Sequence, residues 1–64
     1  MKNEWIGVVR HDFETGKRIG ETLINLNNVT HIEVCENLIW FNGGEFIKVN
    51  KESIKMLLDV IKTI

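Results

Sequence analysis

Between Leu38 and Val49 the chain reads Leu-Ile-Trp-Phe-Asn-Gly-Gly-Glu-Phe-Ile-Lys-Val, two short β-rich runs around a glycine pair. Strand side chains alternate, so Leu38 and Trp40 point one way and Ile39 and Phe41 the other, which makes both faces of the first run apolar. After the corner, Ile47 and Val49 share one face while Phe46 and Lys48 share the opposite one. Glycine reaches positive φ at little steric cost, so Asn42-Gly43-Gly44-Glu45 predicts a tight turn that pairs the runs as an antiparallel hairpin. One face of that hairpin is aliphatic and the other aromatic with a charge, so the two faces call for different covers.

The pattern upstream predicts three more strands. Residues 4–11, Glu-Trp-Ile-Gly-Val-Val-Arg-His, place Trp5, Gly7, Val9 and His11 on one face and Ile6, Val8 and Arg10 on the other. Asp12 to Lys17 carries Asp, Thr and Gly at positions that suit a hairpin loop, and Arg18 to Leu26 returns as a second strand, weakened or bulged at Gly20. Asn25-Leu26-Asn27-Asn28 is turn chemistry, because asparagine tolerates left-handed backbone. Thr30 to Cys35 then alternates, with Ile32 and Val34 inward and His31, Glu33 and Cys35 outward, and Glu36-Asn37 connects it to the central hairpin.

Beyond Val49 the period lengthens. Asn50 is a favoured N-cap, Glu52 in the first turn complements the helix dipole, and Ile54, Leu57, Leu58, Ile61 and Ile64 fall on one helical face that Met56 and Val60 widen. Lys55, Asp59 and Lys62 take the solvent side. A helix of about 13 residues is marginal alone and must pack on the sheet, with Ile32, Val34, Ile39, Phe41, Ile47 and Val49 as the expected floor. The predicted fold is α+β: one domain over residues 1–64, an antiparallel β-meander of about five strands with one C-terminal amphipathic helix on one face.

Length changes the picture next. A chain of 64 residues buries a small core, and domains of this size usually need a disulfide, a metal or a partner subunit. Cys35 is the single cysteine, so no intrachain disulfide forms, and a lone thiol suits a reducing cytoplasm. His11 and His31 show no zinc spacing relative to each other or to Cys35, so no metal and no cofactor is expected. Self-association remains. One helix covers one face, which leaves Leu38, Trp40 and Phe46, joined by Trp5, as anchors of a homo-oligomer or of a contact with a protein partner. The competing arrangement folds the first two strands across and buries those rings within one subunit.

Charge and motifs narrow the chemistry. The formal charge is -1, so no global pull toward nucleic acid or anionic membrane arises, and no apolar run approaches the ~20 residues of a membrane span. No nucleophile elbow, P-loop or dinucleotide fingerprint is present, and His31 with Cys35 on one strand face is the sole nucleophile and base pairing on offer. The expectation is a non-enzymatic interaction module. Single-stranded nucleic-acid binding is the alternative, because Arg10, Lys17 and Arg18 cluster with His11 about the first hairpin, where Trp5 or Phe13 could stack on a base. Capture of a small ligand between subunits is a third.

From Thr22 onward the chain also carries a pattern. Leu-Ile-Asn-Leu-Asn-Asn-Val-Thr-His-Ile-Glu-Val, then Leu-Ile-Trp-Phe-Asn-Gly-Gly-Glu-Phe-Ile-Lys-Val, then Lys-Glu-Ser-Ile-Lys-Met-Leu-Leu-Asp-Val-Ile resembles the small bacterial FlbD-like proteins of flagellar operons. The resemblance spans residues 22–61 and implies an Asn-containing strand end, an Ile-Glu strand, a glycine turn and a Glu-Ser helix start. At its furthest it implies a motility role. The N-terminal hairpin with Trp5 and Arg10-His11 departs from that pattern. A fainter similarity links the Asn27 to Glu33 run, Asn-x-Val-x-x-Ile-Glu, to LytTR-type DNA-binding domains, and small chains of this style also occur in phage and mobile elements.

Overall fold

The computed structural model describes residues 5–62, so the expectations placed on Glu4 and Ile64 lie outside it. Five strands, β1 (Trp5–His11), β2 (Arg18–Asn25), β3 (Val29–Glu33), β4 (Leu38–Phe41) and β5 (Phe46–Val49), precede one helix, α1 (Lys51–Lys62). All neighbours pair antiparallel in the order β2-β1-β5-β4-β3, so a β1–β2 hairpin and a three-stranded β3-β4-β5 meander join through β1 and β5. The α+β architecture is the one the hydrophobic pattern predicts.

Local chemistry explains each corner. Gly43 and Gly44 have φ of 93° and 86°, and Gly44 N–H donates to Phe41 C=O (3.1 Å) while Phe41 N–H donates to Glu45 C=O (2.8 Å). In the first hairpin loop Asp12 Oδ2 accepts from Thr15 N–H (2.8 Å) and Glu14 N–H (3.1 Å), an Asx turn that Gly16 completes by donating to Asp12 C=O (2.9 Å). Asn50 caps α1 by accepting from Ser53 N–H at 2.8 Å.

A 3-10 turn, Leu26–Asn28, links the two edge strands, and this shapes the sheet. Four residue steps of 3-10 backbone span about 8 Å, whereas the edges of a flat five-stranded sheet stand about 19 Å apart. The sheet therefore coils until the end of β2 meets the start of β3, while Asn42 N–H donates to Asn28 C=O (2.8 Å) and carries the β3–β4 ladder one step past the Val29–Phe41 pair. Inside the coil, Val8, Ile24, Ile39 and Val49 bury against Ile54 and Leu57 of α1, with Ile32, Phe41 and Ile47 partly buried around them.

Two expectations change here. Val34 does not join that floor, because β3 stops at Glu33 and Val34–Glu36 wind into a second 3-10 turn closed by Asn37 at φ 59°, leaving Val34 exposed. Four residues had to reverse the chain into β4, and a strand through Cys35 would have left only two. The core also draws on Val8 and Ile24 from the first hairpin, which coiling of the sheet brings over the helix.

The helix also completes the first strand. β1 meets β5 only at Arg10 and His11, and beyond that point its edge is satisfied by the start of α1: Asn50 N–H donates to Val9 C=O (3.0 Å) and Val9 N–H donates to the buried Ser53 Oγ (2.9 Å).

Candidate functional site

On the face away from α1, cross-strand register aligns His31, Trp40 and Phe46 in a row across β3, β4 and β5. His31 stacks on Trp40 (centroids 5.4 Å, planes 11° apart), Trp40 packs against Phe46 at 4.6 Å, and Phe13 from the first hairpin loop meets Phe46 edge-on at 5.1 Å. Such contacts each add about 0.5–1.5 kcal/mol beyond area burial. Both sides of the Trp40 ring are occupied, so it offers no free face for a stacked base. Its indole N–H is buried with no acceptor among the described residues, so packing rather than hydrogen bonding holds the ring.

The loop of the first hairpin thus laps over part of this face. Leu38, expected as an exposed anchor, is only 6% exposed, at the bottom of a hollow lined by Phe13, Lys48 and the Cys35–Asn37 turn. Lys48 seals one side by donating from Nζ to Glu36 C=O (3.2 Å). Leu38 is therefore a packing residue of this face, and its side chain is not available to a partner.

A larger opening lies elsewhere, as an open cleft of about 810 Å³ between the β1–β2 ladder and the β4–β5 hairpin. Trp5, Leu23 and Arg10 stand on one wall, Phe41, Phe46 and Glu45 on the other. Trp5 pairs with Asn25 and Leu23 with Gly7, so Trp5 and Leu23 are diagonal neighbours on one sheet face. They are 55% and 66% exposed, with no side chain on Gly7 to fill the gap between them. The cleft brings together two of the sequence-derived anchors, Trp5 and Phe46, with Trp40 directly behind Phe46. Leu23 carries no signal in the sequence, since its exposure depends on β2 being a free edge.

The cationic cluster does not hold together. Arg10 pairs with Gly20 and His11 with Arg18 across a bulge, so alternation puts Arg10 on the α1 side of the sheet and Arg18 on the other, with Lys17 out in the loop. Of the three, only Arg10 reaches the cleft, whose other wall carries Glu45. Nor does the nucleophile pairing form: His31 Nδ1 lies 3.0 Å from Thr30 Oγ1, its Nε2 is 4.0 Å from Glu33, and Cys35 sits exposed in the 3-10 turn. Among the described residues no three metal-ligating side chains converge, and no helix is long and apolar enough to cross a membrane.

Fold and cleft together define a small α+β chain: a coiled five-stranded antiparallel sheet closed by one helix, with an open cleft on its side whose lining mixes apolar rings with polar and charged groups. No family model, curated protein or solved structure matches it.

Proposed function

We propose that the protein is a non-enzymatic interaction module that associates with itself and holds a macromolecular partner through the apolar surface of its sheet. The observation that carries this reading is the convergence of Trp5, Leu23 and Phe46 on one open cleft, with the first two more than half exposed. Contiguous exposed apolar surface marks interaction sites, and large aromatic side chains such as Trp5 are the usual anchors within them, with neighbours such as Leu23 excluding water around the ring. The exposed free thiol of Cys35 suits a reducing, cytoplasmic setting.

The test compares wild type with Leu23→Ser and Trp5→Ala, neither of which removes a core residue. Affinity capture from a bacterial lysate, followed by identification of bound protein and RNA, is expected to return a protein held by wild type and lost from both variants. Identical recovery by all three, or an RNA released by salt, would overturn the reading.

A smaller occupant is the second reading, favoured by the size of the cleft, which lies within the ~300–1,000 Å³ range of small-molecule sites. Cross-peaks of Arg10 and Glu45 in a fragment-library NMR titration would move together if it holds.

A further inference from the structure

We infer that β3 is the self-association edge, and that two copies join antiparallel through it about a two-fold axis at Ile32. This rests on the self-associating reading above and names its surface.

Backbone direction follows from the hairpin bonds. Phe41 uses both its N–H and its C=O toward the Gly44–Glu45 side, and Asn37 C=O accepts from Val49 N–H at 3.0 Å, so the odd-numbered residues of β4 face β5. By alternation Leu38 and Trp40 face β3, where their partners are Glu33 and His31. Ile32 between them therefore turns its N–H and C=O away from β4, and since β3 ends the sheet those groups lie on an open edge. A second β3 can exchange both bonds with them when Ile32 faces Ile32 of the other copy.

Side chains complement one another in that register. One residue to either side of the axis, His31 of one copy stands directly opposite Glu33 of the other, twice over, on the face away from α1. Within one chain His31 Nε2 lies 4.0 Å from Glu33 with both side chains more than half exposed, so a partner's groups across the axis can reach both while His31 stays stacked on Trp40. On the α1 side, an open groove of about 660 Å³ runs between β3 and the last turns of the helix, floored by Val29, Ile32, Leu58 and Ile61. Ile61 is 43% exposed there. The axis at Ile32 brings the grooves of the two copies side by side, so each seals the other. The opposite edge is less suited: β2 is broken by the bulge near Gly20 and studded with Arg18 and Glu21, features that block strand addition.

Sedimentation equilibrium from low to several hundred micromolar, on wild type, His31→Glu, Glu33→Lys and the double variant, tests the register. Wild type is expected at twice the 7.4 kDa chain mass. Each single variant should weaken the dimer about tenfold, and the double variant, which restores opposite charges, should recover it. Ile32→Cys in a Cys35→Ser background should also cross-link under mild oxidation, since directly opposed hydrogen-bonded residues lie about 5.5 Å apart at Cα, within disulfide reach. A wild type that stays monomeric throughout would overturn self-association and this edge together. A dimer indifferent to both charge variants and unable to cross-link at Ile32 would overturn the β3 contact and leave self-association through another surface. Circular dichroism of each variant confirms that the compared chains are folded.

Discussion

Replacing Ser53 by alanine isolates the bond that ties helix to first strand. Ser53 is 6% exposed and its hydroxyl accepts from Val9 N–H at 2.9 Å, the bond that carries the edge of β1 past its last contact with β5. A buried donor stripped of its acceptor costs about 1–3 kcal/mol, and the lower half of that range applies because Val9 is only half-buried. Alanine returns about 0.5 kcal/mol of helix propensity, which leaves a net loss of about 1 kcal/mol. For a domain whose total stability is about 3–10 kcal/mol, that lowers the melting temperature by roughly 4–8 °C. Urea unfolding followed by circular dichroism gives the value directly, with Ser53→Thr as the variant that keeps the hydroxyl. A Ser53→Ala protein as stable as wild type would refute the reasoning, because the Val9 N–H would then need no partner from α1.

Three further outcomes follow from the same geometry. Leu57→Ala removes a fully buried side chain and should cost about 2–5 kcal/mol, enough to leave much of the protein unfolded at 37 °C by thermal melt. Gly43→Ala meets no steric contact but forces φ of 93° on a residue with a Cβ, so its cost, about 1–2 kcal/mol in urea midpoint terms, is backbone strain alone. Asp12 is held below the ordinary carboxylate value, first by the Thr15 N–H, then by the Thr15 hydroxyl and the Glu14 N–H, with Arg10 adding charge attraction. A carboxyl lowered in the fold contributes stability above its unfolded pKa and loses it as pH falls through the folded one. The stability gap between wild type and Asp12→Asn should therefore be widest near neutrality and close in acid, and a gap that does not change with pH would contradict the assignment.

What the sequence discloses about this fold is mostly local. The glycine pair, the Asp12 loop and the Asn50 cap each encode a turn or terminus within four residues, and alternation or helical spacing assigns the faces between them. What it conceals depends on distant partners. The burial of Leu38 comes from a hairpin loop twenty-odd positions earlier in the chain folding over the sheet, and no periodicity reports that. Ser53 reads as an ordinary first-turn residue until Val9 is seen beside it. The separation of Arg10 from Arg18 hinges on a bulge that shifts register by one, which Gly20 hints at without revealing the side to which each cation turns. Trp5 and Phe46 are legible as apolar and surplus to the core, but their meeting at one cleft requires the coiling imposed by the Leu26–Asn28 turn.

That the first strand is finished by residues more than forty positions later has a kinetic meaning. The opening hairpin can form early, yet it has nothing to lean on until Val49, Asn50 and Ser53 arrive, so neither half of the molecule is a stepping stone that persists by itself. Such a chain should pass between coil and native form in a single step, with hydrogen exchange at Val9 as slow as at Ile39, and a loosened helix start should unravel both ends of the protein at once.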